Sequence, residues 1–290
     1  MTVQAVIVAV MLWGAGPAVA APAPVPGFPI GCFVRVQEPA SLDVMKAAGM
    51  EFVEVGLRDV VALTAAEFES LLARSRALKL PVRAAINFLP TDLKVVGPEI
   101  DVSAQRAYLA GAFARARRLG LQTVVFGSGK SRRFPEGFAP DQAFRQLVEF
   151  GRLAATLAGK HNIVIAIEPL GPDETNTIND VAAAMRLVTA VGHRNFQMVV
   201  DYYHLTVARE PPSVLLATRK HLRHVRIANP AGRAFPLDAS ESDYASFFGH
   251  LKQIGYRGGI GIEARKGDPA TDGARSVAFL RTMAAQHLAR

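Results

Sequence analysis

Eight short apolar runs recur along the chain from Ile30 to its end, and they constrain the fold more than any other feature of the sequence. The runs are nearly continuous in apolar residues, which is typical of strands that are buried on both faces of a parallel sheet. Stretches with apolar residues at helical spacing separate them. We predict strands at 30–36, 51–57, 81–87, 122–127, 162–168, 196–201, 223–228 and 259–264.

The stretches between the runs have recognisable helix ends. Thr64 and Glu67 form a capping-box pattern, and Gly120 follows a long helical stretch as a C-terminal cap. Eight strands in alternation with helices predict a closed (β/α)₈ TIM barrel in a single domain. The alternative is an open doubly wound sheet. It is disfavoured because Gln37-Glu38-Pro39, and not a Gly-rich dinucleotide turn, follows the first strand.

The N-terminal residues differ in composition from the rest of the chain. The run Ala5–Gly16 is apolar, and Ala18-Val19-Ala20 fits the small-x-small pattern of a signal-peptidase site. We therefore expect a signal peptide at 1–20, a Pro-rich linker at 21–29 and the barrel domain at 30–290, with a periplasmic or secreted mature protein that is not in a membrane. No Lys or Arg precedes the apolar run, so an incorrectly placed start or a buried segment remain the alternatives.

The composition of the chain limits both how its core is stabilised and which partners it can bind. Half of the residues are hydrophobic and Cys32 is the single cysteine, so the chain must build a core without an intramolecular disulfide. We expect Cys32 to be a small buried hydrophobic residue. The net charge of +8 is compatible with a nucleic-acid partner. The basic residues are scattered along predicted helix faces, however, so we expect a solvated basic surface and no nucleic acid.

Three predicted strands end in a carboxylate, namely Glu168, Asp201 and Glu263. In a (β/α)₈ barrel the carboxyl ends of the strands meet at one face, where barrel enzymes keep their active sites. Each acid taken alone is explained equally well as a structural residue, in a turn or a salt bridge, as it is by a catalytic role. Three anions together require a cation, and oxygen ligands suit a divalent metal.

Three stretches of the second half, at 168–205, 224–236 and 255–265, carry a family resemblance. They read EPLGPDETNTIND with DYYHL, then HVRIANPAGRAFP, then GYRGGIGIEAR. The chain resembles the sugar phosphate isomerase/epimerase family, whose relatives include ketose 3-epimerases, hydroxypyruvate isomerase and inosose dehydratase among the xylose isomerase-like barrels. The resemblance covers most of the chain and is most specific in its C-terminal half.

The resemblance implies a role for each site residue. Glu168 and Glu263 would be the catalytic acid and base, and with Asp201 they would hold a divalent metal such as Mn²⁺ or Mg²⁺. The implied reaction is isomerisation or epimerisation of a small keto-sugar or polyol through a metal-stabilised enediolate. The substrate contacts implied in the same way are Glu174, His204 and Arg233.

Strand seven departs from the family pattern. The family commonly has His-x-His there, with the second His on the metal, whereas this chain reads His224-Val225-Arg226. A guanidinium has no free lone pair and cannot bind a metal. Either the metal keeps three carboxylates and water, or Arg226 supplies part of the positive charge and contacts the substrate. We expect His224, which lies deeper on the same side of the strand, to pack inside the barrel.

Other features and functions stay open at this point. The loop 127–133 (GSGKSRR) is either a cover for the substrate or a solvated surface loop, and Glu54 and Asn87 line the site with less support. The alternative functions are a sugar lyase or dehydratase on the same site, and a non-catalytic sugar-binding barrel. An endonuclease-like phosphodiesterase would need more His and Asp at the strand ends. The sequence specifies neither the sugar nor the oligomeric state.

Overall fold

The structure, a computed structural model, describes residues 28–38 and 40–288, so the predicted signal peptide and most of the predicted linker lie outside the described residues. Eight parallel strands pair in chain order, and β8 closes on β1. The predicted (β/α)₈ barrel is confirmed, and β1, β5 and β8 are each three residues shorter than predicted. The strands are β1 Ile30–Phe33, β2 Phe52–Gly56, β3 Val82–Ile86, β4 Thr123–Phe126, β5 Val164–Ile167, β6 Phe196–Asp201, β7 Leu222–Ile227 and β8 Ile260–Ile262.

The helices surround the barrel, and the two helix ends that the sequence predicts are confirmed. Thr64 makes both hydrogen bonds of the capping box, and Gly120 ends its helix at a left-handed φ of 81°. The segment Pro212–Thr218 is a 3₁₀ helix, the tighter form that proteins use in short connectors. The α-helices are α1 Ser41–Ala47, α2 Leu57–Ala62, α3 Ala65–Ala77, α4 Val102–Leu119, α5 Pro140–Gly159, α6 Val181–Val191, α7 Tyr202–Val207, α8 Tyr244–Gln253 and α9 Asp272–His287.

Two apolar layers hold the barrel together. The larger layer lies between the sheet and the helices, where Phe88 and Phe126 pack with their ring centroids 5.7 Å apart. A smaller cluster lies inside the barrel and includes Ala166 of β5 and Val199 of β6. Cys32 is buried as predicted, and burial raises the pKa of its thiol to about 12, which keeps the thiol protonated.

The N-terminal end of the barrel is closed partly by residues that the sequence assigned to the linker. Phe28 is 5% exposed, and its ring lies 5.9 Å from that of Phe248. The carbonyl of Pro29 accepts a hydrogen bond of 2.9 Å from the backbone N–H of Ile260. Phe28 and Pro29 therefore belong to the barrel, because they fill apolar space and pair with a strand. Among the described residues, no helix is both long and apolar enough to cross a membrane.

Gly261 of β8 lies where the side chain of Glu54 crosses the barrel interior. A Cβ at this position would overlap Glu54 Oε1 and would lie 3.3 Å from His224 Nε2. We expect Gly261→Ala to lower the free energy of unfolding by about 1–3 kcal/mol, because overpacking forces neighbours out of position. Urea unfolding measures this. The control is Gly249→Ala on α8, where a Cβ meets nothing within 4 Å. Equal stability of the two variants would contradict the close packing.

Candidate active site

The three carboxylates predicted from the strand ends lie together at the C-terminal face of the barrel. Asp201 is the last residue of β6, while Glu168 and Glu263 follow β5 and β8 directly. Alternate residues of a strand face the same side, so Glu168 points inward above Ala166, as Asp201 does above Val199. Glu168 is 4% exposed and Asp201 2% exposed. A cavity of about 260 Å³ opens at this face.

Arg226 of β7 lies in the middle of these acids and is 1% exposed. Its Nη1 donates to Glu168 Oε1 at 3.0 Å, its Nη2 pairs with Glu263, and its Nε lies 3.5 Å from Glu54 Oε2. Burial by itself lowers the pKa of a guanidinium. Here the surrounding carboxylates, Glu168 and Glu54 first, outweigh burial and raise the pKa of Arg226 above its ordinary value. Arg226 is therefore a permanent cation at the centre of the site.

Arg233 brings a second guanidinium to the same acids from the loop after β7. Its Nη2 lies 3.3 Å from Asp201 Oδ2 and also pairs with Glu263. The guanidinium carbon lies 4.7 Å from the ring centroid of Tyr203, an arrangement that favours a cation. Burial raises the pKa of Asp201, but Arg233 and His204 outweigh it and hold that pKa below its usual range. Asp201 is therefore ionised and bound to Arg233.

Beneath Arg226, the side chains of Glu54 and His224 form a buried pair. His224 Nε2 lies 2.7 Å from Glu54 Oε1, and Glu54 is 1% exposed. His224 thus lies inside the barrel, as the sequence predicts. Glu54 is a larger part of the site than the sequence indicates. The sequence signal that could have indicated this is a charged residue between Val53 and Val55, in a strand that is buried along its whole length.

Glu54 makes the protein sensitive to acid. Burial raises its pKa, but His224 and Arg226 outweigh burial and hold the folded-state pKa below the ordinary 4.5. The folded protein therefore binds this proton less tightly than the unfolded chain. The stabilisation is complete above about pH 4.5 and is lost as the pH falls through the folded-state value. We expect urea unfolding to show this loss, and Glu54→Gln to have a weaker pH dependence. Identical pH dependence in both proteins would contradict it.

His204 and Glu174, two of the predicted substrate residues, line the cavity beside the acids. His204 Nε2 lies 3.8 Å from Glu174 Oε1, and Arg265 Nη2 lies 4.0 Å from Glu174 Oε2. His204 is 4% exposed, yet neither of its ring nitrogens has a hydrogen-bond partner among the described residues. A buried imidazole without partners has unused capacity to bind a hydroxyl or carbonyl oxygen.

The loop 127–133 lines the cavity, and Arg132 within it has a further role that the sequence did not indicate. It contains a 3₁₀ helix, Gly129–Arg132, and the side chain of Arg132 is fully buried. Arg132 donates to the backbone carbonyls of Gly127 at 2.6 Å, Glu168 at 2.6 Å and Thr177 at 2.5 Å. It therefore ties the ends of β4 and β5 together. The sequence could not show this, because the acceptors are backbone atoms of distant segments.

The predicted metal ligands are only partly brought together. Among the described residues, Glu168, Asp201 and His204 have ligand atoms within 4.8 Å of one another, a buried group in which His204 stands instead of Glu263. Each predicted carboxylate ligand already binds a guanidinium. A divalent ion would share every carboxylate with a fixed cation and would be repelled by both guanidiniums. The predicted set of Glu168, Asp201 and Glu263 therefore does not fit a divalent metal.

Comparisons with known proteins identify the family of the chain. The sequence model for the xylose isomerase-like TIM barrel family matches residues 42–283. The chain is 27% identical over 222 residues to L-ribulose 3-epimerase of Methylomonas sp. (strain DH-1), which covers 75% of this chain and 74% of that protein. It is 28% identical over 158 residues to hydroxypyruvate isomerase of Escherichia coli (strain K12), which covers 53% of this chain and 60% of that protein.

A solved structure shows the same barrel. The D-allulose 3-epimerase from Methylomonas sp. in complex with D-allulose superimposes with a TM-score of 0.77 at 20% identity, covering 88% of this chain and 96% of that chain. The similar proteins are thus sugar epimerases and isomerases, the classes that the three sequence stretches resemble. Since the family model spans most of the chain, the protein belongs to the xylose isomerase-like TIM barrel family.

Proposed function

We propose that the protein is an isomerase or epimerase that moves a proton on the carbon next to the carbonyl of a keto-sugar or related polyol. The observation that carries the proposal is that Glu168 and Glu263 reach the Arg226 guanidinium from two different strands, at the wall of one cavity. Two carboxylates on different sides of one bound molecule can remove a proton and return it elsewhere. The names of the similar proteins support the same class of reaction.

The proposed chemistry uses the two glutamates as base and acid. One carboxylate removes the proton next to the carbonyl, which leaves an enediolate. Return of a proton to the opposite face of that carbon gives an epimer, and return to the neighbouring carbon gives an isomer. Gly127 leaves Glu168 Oε2 open, because a Cβ there would lie 2.7 Å from this oxygen. Glu168 Oε1 is meanwhile held by Arg226.

The polar groups around the cavity suit the rest of a sugar. The negative charge of an enediolate would develop beside Arg226 and Arg233, and fixed cations in a buried site stabilise such charge. His204 and Glu174 offer a nitrogen and carboxylate oxygens to hydroxyl groups. The cavity of about 260 Å³ is smaller than the roughly 300–1,000 Å³ of sites for drug-sized ligands, which favours a monosaccharide.

Incubation with a panel of ketoses in D₂O tests the proposal. We expect deuterium on the carbon next to the carbonyl, detected by NMR, together with an epimer or isomer. Loss of water with deuterium uptake would identify a dehydratase instead. Sugar binding without exchange would contradict the proposal and indicate a binding barrel. The panel begins with unphosphorylated sugars, because phosphosugars are mainly cytosolic and residues 1–20 predict export.

A further inference from the structure

We propose that the guanidinium of Arg226 takes the place of the divalent metal ion that the family resemblance implies, so that this protein works without a metal. The catalytic part of the inference rests on the proposed function. The absence of a metal requirement rests on the arrangement of charges and donors around Arg226 alone.

The position of Arg226 is the first argument. In the register of the barrel Arg226 is paired with Asp201 of β6 on one side and Gly261 of β8 on the other. Its side chain reaches the carboxylates of Glu168 and Glu263, which follow β5 and β8. An ion that binds both of these carboxylates must lie between them, and the guanidinium fills that position.

The surroundings of the guanidinium are the second argument. Glu54 adds a carboxylate from below, with Oε2 at 3.5 Å from Arg226 Nε, and His224 holds the other oxygen of Glu54 at 2.7 Å. Gly261 leaves the room that this acid needs. A planar cation with several N–H groups can use acids on three sides, from three strands, in this way. Such a site is built for a guanidinium.

The donors around the acids are the third argument. Position 226 offers a cation in place of a neutral imidazole, and Arg233 already binds Asp201 and Glu263. A dication would find a nitrogen ligand only in His204, beside Glu168 and Asp201, and would meet two fixed positive charges in a buried site. The Nε of Arg233 is buried and has no hydrogen-bond partner among the described residues. It is available to a substrate oxygen, a contact of the kind that stabilises an enediolate.

Metal binding by the wild-type protein tests the inference directly. The protein is purified, treated with EDTA, desalted and titrated with Mn²⁺ without any sugar, and binding is followed by calorimetry and by the shift in melting temperature. We expect no stoichiometric Mn²⁺ and no shift. Binding of about one Mn²⁺ per chain, or a catalytic activity that EDTA removes and Mn²⁺ restores, would overturn the inference.

Two matched variants test whether Arg226 is the reason. Arg226→His restores an imidazole, whereas Arg226→Gln removes the guanidinium without supplying a nitrogen ligand. We expect Arg226→His to bind Mn²⁺ about 10- to 100-fold more tightly than Arg226→Gln. Losing an outer-shell partner of a metal ligand already costs that much affinity, and His adds a direct ligand. A folded Arg226→His protein that binds Mn²⁺ no better than Arg226→Gln would contradict the assigned position. If Arg226→His does not fold, the titration of the wild-type protein still tests whether the site binds a metal.

The outcomes separate this inference from the proposed function. The titrations contain no sugar, so they are independent of which reaction the protein catalyses. A wild-type protein that binds no Mn²⁺ and exchanges no deuterium with any sugar would contradict the proposed function but support the inference that Arg226 replaces the metal. Deuterium exchange that requires Mn²⁺ would support the proposed function and contradict that inference.

Discussion

Glu168→Gln is expected to lower kcat by a factor of about 10²–10⁴, the usual contribution of a positioned acid or base, while the protein stays folded. Glutamine keeps the shape of the side chain and can still accept the hydrogen bond of Arg226 Nη1, but it cannot take up a proton. The same loss is expected for Glu263→Gln. The control is Glu149→Gln, on the exposed side of α5, which should keep wild-type kcat.

Deuterium exchange sharpens this prediction, because the proposed reaction has one glutamate act on each face of the substrate carbon. A variant that lacks one base should still exchange the proton that faces the remaining carboxylate, although it cannot complete the interconversion. Glu168→Gln and Glu263→Gln should therefore each retain exchange with a different epimer. Retained kcat in either variant, or loss of exchange from both epimers in each of them, would contradict the assignment of one base to each face.

Arg226→Leu is expected to lower the free energy of unfolding by about 3–5 kcal/mol at neutral pH, the range for removing one partner of a buried ion pair. The guanidinium is the shared counter-ion of Glu54, Glu168 and Glu263, so its loss leaves three buried carboxylates short of positive charge. Urea unfolding measures the change, since urea adds no ions. Arg223→Leu, at an exposed position of the same strand, should cost less than about 1 kcal/mol.

The pH dependence of Arg226→Leu tests the cause of the instability. Without the guanidinium, less positive charge opposes burial, so the folded-state pKa of Glu54 rises from its lowered wild-type value. The folded variant then binds this proton more tightly than the folded wild-type protein does, so its deficit should shrink as the pH falls. Glu54→Gln combined with Arg226→Leu should also recover part of the loss. A deficit that is constant with pH would indicate lost packing and not unpaired charge.

The strands and helix ends were predictable because each depends on residues that are close in sequence. Apolar runs and caps such as Thr64 depend on local spacing, and strand order then places Glu168, Asp201 and Glu263 at one face of the barrel. The contacts of Glu54 were not predictable in the same way. Its partner His224 is 170 positions away, on a strand across the barrel.

The role of Arg226 was only partly predictable from the sequence. The sequence shows that Arg226 stands at the position of a family metal ligand, and this alone raises the question of where the positive charge comes from. The answer depends on distances across the barrel interior, which no spacing along the chain specifies. The structure shows the guanidinium in direct contact with Glu168 and Glu263.

The backbone contacts of Arg132 bear on how a sugar enters. By binding the carbonyls of Gly127, Glu168 and Thr177, this side chain joins the rims of two neighbouring strands into one rigid wall. That wall does not need to be ordered by the ligand, so little conformational entropy is lost there on binding. Movement that admits and releases the sugar is therefore expected at other parts of the rim, and not in this wall.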